Sequence, residues 1–303
     1  MPRTSKVVMA LLLVMSAAGV RPSSRLLAAS AGNDGAAGPS AQHATLKAAA
    51  ATAPDIPFRD YDAQAEQALL DLANQARAQA GAPALTLDAG LCQAARAHAE
   101  AMFAARQLSH QFEGEPSLPQ RLGSATPTTL DQEGENVALD FDAEKGHQHL
   151  MLSPPHRANL LNPAYNVIGL GVVRSGDRLY IVQDFGHALP NYSTAEVKDR
   201  IAATVLQARH QAHQPDLARR DLRTTDDAAC SMAQAEKLGT SPVRQLAQRY
   251  TVLSYTSVHP ETLPANASHM LSSHNLRSFS VGACYARTET YPTGVYWVVL
   301  SLD

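Results

Sequence analysis

Between residues 62 and 80 the apolar positions Ala65, Leu69, Leu72, Ala73 and Ala76 recur at helical spacing, and Gly81 with Pro83 ends the run. This pattern predicts a first helix. Leu85-Thr-Leu87 reads as a short extended link, and Asp88 is a fit N-cap for a second helix whose apolar face is Leu91, Ala95, Ala99 and Met102, continuing to about Gln107. Residues 108–142 are polar and rich in Gly, Pro and Asp, so they read as a long loop, of the kind that is usually functional in a folded domain. A helical pattern returns over 143–152, and Pro154-Pro155 opens another turn or helix. Two apolar runs, 166–174 and 178–186, flank Ser175-Gly-Asp177 and predict a β-hairpin.

The same order of elements then recurs. Val205-Leu-Gln-Ala-Arg209 echoes Ala73-Asn-Gln-Ala-Arg77, and Ala228-Ala-Cys230 echoes Gly90-Leu-Cys92. His269-Met-Leu-Ser-Ser-His274 echoes Leu150-Met-Leu-Ser-Pro-Pro-His156, and the runs 279–286 and 295–301 repeat the hairpin. Echoes in one order predict two copies of one α/β unit, with residues 238–268 lacking a counterpart.

Before the first helix, Met1–Lys6 carries two positive charges and no acid, and Val7–Val20 is an apolar run too short to span a bilayer as a helix. Residues 1–31 therefore read as a signal peptide without a permanent membrane span, cleaved after Ser16-Ala-Ala18 or Ala29-Ser-Ala31. Residues 32–56 mix Gly, Pro, Ser and Ala without an apolar period and read as a disordered linker. That leaves a module over 57–190 and a second over 191–303.

Composition narrows the class. With 303 residues, 45% hydrophobic, and a net charge of −3, the chain is too apolar for a disordered protein, and it has no basic run to bind nucleic acid. The charge is uneven: residues 32–190 hold 10 basic and 18 acidic side chains, residues 191–303 hold 11 and 10. Three cysteines in an exported chain allow one disulfide. Cys230, on the second copy's second helix, and Cys284, on its first hairpin strand, lie where a helix covers a sheet and are the candidate pair; Cys92 reads as a small buried hydrophobe.

Asn74-Gln-Ala-Arg77, Leu108-Ser-His110, Gly134-Glu-Asn136 and Ser153-Pro-Pro-His-Arg-Ala-Asn-Leu-Leu-Asn-Pro163 leading into Ile168-Gly-Leu-Gly171 occur in one order and spacing. By these motifs, residues 62–187 resemble bacterial members of the superfamily of cysteine-rich secretory proteins, antigen 5 and plant pathogenesis-related proteins (CAP or SCP domains). The resemblance implies an α/β fold: a three-layer α-β-α sandwich with a shallow cleft, followed here by a degenerate CAP-like module. In many relatives two His and two Glu line the cleft and hold a divalent metal. The matching positions are His110, Glu135 and His156, with Asn136 and Ser153 beside them. The second glutamate would fall near Ser153, so the tetrad is incomplete.

Two neutral imidazoles and a carboxylate form a ligand set for zinc or a similar ion, leaving a place for water. The bland alternative is that they hydrogen-bond one another and the backbone to hold long loops. Gly146-His147-Gln-His149 reads as a solvated face, and Ser109 lacks the elbow and oriented acid of a serine hydrolase. The resulting expectation is a secreted or periplasmic, non-enzymatic protein that binds a small apolar ligand, a lipid, or a cell-wall or protein partner beside the cleft. The alternative is a metal-dependent hydrolase built on His110, Glu135 and His156.

Overall fold

A computed structural model describes residues 61–303; the expected signal peptide and linker lie outside the described residues. Helix α1 (Ala63–Ala80) starts where the Asp62 side chain accepts from the Ala65 amide, and it stops at Gly81, whose φ of 74° is left-handed. After β1 (Thr86–Leu87), Asp88 caps α2 (Ala89–Ala105) by accepting from the Leu91 amide.

The expected loop over 108–142 is corrected by the structure. It contains α3 (Leu118–Ala125) and β2 (Leu130–Asp140). The strand escapes a search for alternation because its Gln132-Glu-Gly-Glu-Asn136 segment is polar, although Glu135 and Asn136 are buried. Then come α4 (Ala143–Leu152), α5 (Pro154–Leu161), β3 (Val167–Ser175) and β4 (Arg178–Ala188).

The strands form a sheet in the order β1-β3-β4-β2, with β1 parallel to β3 and the other pairs antiparallel. One face packs Ile168, Leu170, Ile181 and Phe185 against Leu69 and Ala73 of α1, Leu150 of α4 and Leu160 of α5. The other packs Val137, Val173, Tyr180 and Val182 against Ala95, Ala99 and Met102 of α2. Three layers result, with α2 pressed onto β3: a Cβ on Gly169 would lie 2.1 Å from the Leu91 carbonyl carbon, and one on Gly171 2.2 Å from that of Ala95.

A second set of elements repeats this plan. It comprises α6 (Thr194–Gln211), β5 (Ala218–Arg219), α7 (Arg223–Ala235), α8 (Ser241–Leu246), β6 (Thr251–Ser257), α9 (Ala265–Leu271), β7 (Ser278–Ala286) and β8 (Val295–Leu302). The strand order is β5-β7-β8-β6, with the same directions as in the first sheet. Residues 238–268, expected to lack a counterpart, hold α8 and β6 in the places of α3 and β2.

One buried arginine organises each module. Arg77 donates to the carbonyls of Pro83, Leu160, Asn162 and Tyr165 at 2.6–2.9 Å. Arg209 donates to those of Pro215, Leu271 and Ser273 at 2.7–3.0 Å. These clamps correct two of the echoes. Leu271 stands where Leu160 does, which puts the exposed His274 beyond α9 and not opposite His156. The Gly171 position closes on Ala95 and Arg96, and Gly282 closes on Thr225 and Asp226, so Cys230 sits well over a turn further along its helix than Cys92 does.

Cys230 and Cys284 form a disulfide that ties α7 to β7, and Cys92 is a free, buried thiol. The modules meet where Arg287 donates to the Gly123, Thr126 and Thr128 carbonyls and Thr129 bonds the Tyr285 hydroxyl at 2.7 Å. Among the described residues no helix is long and apolar enough to cross a membrane.

Candidate functional site

The Gly134-Glu-Asn136 segment reaches its place through β2, and α5 is then tied to it by side-chain amides. Asn136, fully buried, donates from Nδ2 to the His156 carbonyl at 3.1 Å and to Gln183 Oε1 at 3.2 Å. Asn159 donates to the Glu135 carbonyl at 3.1 Å and to Asn136 Oδ1 at 3.0 Å. A Cβ at Gly134 would lie 2.5 Å from the Tyr165 hydroxyl, which donates to the Glu133 carbonyl, so a side chain there would displace that hydroxyl. These bonds bring His156 within 6.4 Å, ring centre to ring centre, of His110.

His110 offers Nδ1 to Glu135 Oε1 at 2.9 Å. Its side chain is 59% exposed, while that of Glu135 is 4% exposed, so the imidazole lies at the mouth and the carboxylate behind it. Burial, helped by the neighbouring His110, lowers the His156 pKa and favours its neutral form. Four of the five expected cleft residues, His110, Glu135, His156 and Asn136, thus come together. Ser153 instead stands at the N-cap position of α5, without a side-chain capping bond, and brings no carboxylate.

Behind the mouth stands a cluster that sequence reasoning missed. Arg121 of α3 donates from Nη2 to Glu135 Oε2, and from Nη1 to Glu115 Oε1 at 3.0 Å and to the His110 carbonyl at 3.3 Å. His98 of α2, 1% exposed, places Nε2 2.9 Å from the Ser109 carbonyl and Nδ1 2.7 Å from both Glu115 Oε1 and Arg121 Nη1. Since a carbonyl only accepts, Nε2 carries a proton. For Glu115, burial pulls upward, but the Phe112 amide, His98 and Arg121 outweigh it and hold the carboxyl below its ordinary range.

Asp184 completes the cluster from β4, directly across the ladder from Glu135. It is fully buried and neither of its oxygens receives a hydrogen bond. Burial first, and then the charge of Glu135, raise its carboxyl well above the usual range, with Arg121 offsetting only part of this. Of the two acids that face each other across this rung, Asp184 is the one whose protonated form is favoured. Its only signal in the sequence was an acid beside Gln183 in the middle of the second hairpin strand.

Elsewhere the sequence reading holds in part. His149 pairs with Asp140 at 2.5 Å on an exposed face, but His147 is buried and its pKa is lowered by that burial, so the expected solvated face is half correct. The Ser109 hydroxyl donates to the Gln111 carbonyl at 2.7 Å and meets no base.

The donor set does not suit a metal ion at His110, Glu135 and His156. Both Glu135 oxygens are engaged, one of them by a guanidinium whose positive charge repels a cation. Among the described residues, no group of three or more His, Cys, Asp or Glu is placed to hold a metal ion.

Known proteins give the fold its context. An extracellular protein containing an SCP domain from Bacillus anthracis is 27% identical, with a TM-score of 0.38 over 41% of this chain and 40% of its own. This chain therefore spans about two fifths of that relative's length. Na-ASP-1 is 9% identical, with a TM-score of 0.43 over 78% of this chain and 88% of its own. NaASP2, whose crystal structure was determined with Zn2+, is 14% identical, with a TM-score of 0.31 over 43% of this chain and 82% of its own. No curated protein matches. The family described as CAP, the cysteine-rich secretory protein family, has a model that matches residues 70–185, the stretch that builds the cleft and its cluster. This stretch of the chain is similar to the CAP family.

Proposed function

We propose that this is an exported, non-enzymatic CAP-domain protein that binds an apolar ligand or an apolar patch of a cell-surface or protein partner at the mouth formed by His110 and His156. One observation carries the reading. The acid and guanidinium behind the mouth are spent on each other, while Leu108 and Leu152, on the segments that bring in His110 and His156, are 46% and 79% exposed. An enzyme needs a base or nucleophile with a free lone pair aimed at substrate, whereas exposed leucines beside a pair of imidazoles favour contact with apolar groups. Export rests on the basic and apolar leader over 1–31, followed by the linker over 32–56. The second module, 191–303, is in this reading an eroded copy of the first, supported by its shared strand order and its equivalent buried arginine.

Saturable binding of the fluorescent apolar probe 1-anilinonaphthalene-8-sulfonate tests the proposal. Leu108→Asp with Leu152→Asp is expected to weaken binding about tenfold, while the thermal midpoint stays within a few degrees. Unchanged affinity in that variant counts against the proposed mouth. The competing reading, a metal-dependent hydrolase, makes a different demand: chelator-sensitive ester hydrolysis that disappears in His110→Ala with His156→Ala, together with stoichiometric zinc in the wild type. That combination would overturn the non-enzymatic reading.

A further inference from the structure

The second module opens a cavity where the first is filled, and a glycine present in only one of them accounts for it. In the first module Gly169 lets α2 lie against β3, since a Cβ there would stand 2.1 Å from the Leu91 carbonyl carbon. Phe279 holds the place of Ile168, so Ser280 holds that of Gly169. The Ser280 hydroxyl occupies that space, accepting from the Leu222 amide at 3.2 Å and lying 3.1 Å from Thr225 Oγ1. The helix therefore begins later: Gly171 meets Ala95, the seventh residue of α2, but Gly282 meets Thr225, the third of α7. About one helical turn is missing. In the first module that turn packs on α3, where a Cβ on Gly90 would lie 2.5 Å from the Ala125 carbonyl oxygen. In the second module a cavity of about 810 Å³ lies between the start of α7 and α8, a volume typical of small-ligand sites.

The lining combines apolar surface with opposite charges. Leu222, Leu246 and Tyr250 supply the first, and Asp227 of α7 and Arg249, just past α8, supply the second. Both charged residues are exposed, and among the described residues neither side chain pairs with the other or with any further group. An acid and a guanidinium held apart in one cavity complement a ligand that carries both charges. Gln245 and Gln248 also line the cavity, and each amide offers a donor and an acceptor, the pair that a peptide group requires. We propose that this cavity binds a short apolar peptide with free termini, its ammonium at Asp227 and its carboxylate at Arg249. A neutral oligosaccharide has no use for two opposite charges. The site is built from residues of the second module and does not depend on what the His110 and His156 mouth binds.

Isothermal titration of the full chain with trileucine tests the proposal, and one peptide per chain is the expected stoichiometry. N-acetylation of the peptide is expected to weaken binding about fivefold in the wild type and no further in Asp227→Asn. Amidation of its C-terminus is expected to weaken binding about fivefold in the wild type and no further in Arg249→Gln. Both side chains are exposed and unpaired, so both variants keep the fold. Leu108→Asp with Leu152→Asp is expected to leave trileucine binding unchanged; its loss there would assign the peptide to the mouth and overturn the proposal. Absence of trileucine binding overturns it too, as does wild-type affinity that ignores the blocked termini. Tighter binding of cellotetraose that weakens in Asp227→Asn and Arg249→Gln would make the cavity a sugar site and overturn the peptide assignment.

Discussion

Glu135 and Val252 occupy the same place in two sheets of the same topology. Ile168 pairs with Phe185 as Phe279 pairs with Leu302, and one step back along β4 and β8 Asp184 faces Glu135 where Ser301 faces Val252. The next rung replaces Asn136 and Gln183 with Leu253 and Leu300. A buried polar network in the first module is thus an apolar or small-residue core in the second. The backbone tolerates either, because a rung fixes where side chains point and leaves their chemistry open. Both modules retain the carbonyl clamp, Arg77 or Arg209, and both end their second helix on a left-handed non-glycine residue, Arg106 or Glu236. What they share maintains the fold. What they do not share is the cluster behind the cleft, which is therefore dispensable for folding this topology.

The largest expected effect breaks what the modules have in common. Arg77→Ala orphans four carbonyls and is expected to cost about 5 kcal/mol in urea unfolding, and Arg209→Ala, with three, about 4 kcal/mol. Negligible losses would sink the clamp as an organising device. Next comes a difference between the modules. Removing the Cys230–Cys284 bond, which spans 54 residues, is expected to destabilise the second module by about 3 kcal/mol. Amide exchange should show the loss concentrated in α7 and β7, with α2 and β3 protected as before.

The third effect is a slope. Because the folded-state pKa of Asp184 is raised, the folded protein holds a proton that the unfolded chain releases near pH 4, and stability declines as pH rises from there towards the folded pKa. Asp184→Asn removes this contribution. Relative to the wild type it should gain up to about 1.4 kcal/mol per pH unit within that window, read from chemical denaturation at several pH values. His156 and Glu115, with lowered pKa values, act in the opposite sense: their contributions are present at neutral pH and fade on acidification, first for His156 and then for Glu115. A parallel pH profile for wild type and Asp184→Asn would show that Asp184 does not hold its proton.

Elements whose boundaries depend on local chemistry were legible without tertiary information. Gly81 and Asp88 announce helix ends, and the apolar runs of β3 and β4 announce a hairpin. The motif residues His110, Glu135, Asn136 and His156 were legible through resemblance, and they do come together. The strand β2 and the helix α3 were hidden because the residues that form the cluster interrupt the periodicity of the elements that carry them. Glu115 and Arg121 sat inside what read as a loop, and His98 on what read as a plain alanine-rich helix face.

By itself, then, the sequence determined the helices α1 and α2, the β3–β4 hairpin, the cysteine pair and the residues at the mouth of the cleft, because these follow from local spacing or from short motifs. Only the tertiary structure decided that Arg121 stands between Glu115 and Glu135, that His98 is turned by the Ser109 carbonyl, and that Asp184 is buried across the rung from Glu135. Those facts depend on burial and on distances between α2, α3, β2 and β4, and the spacing of residues along the chain does not encode them.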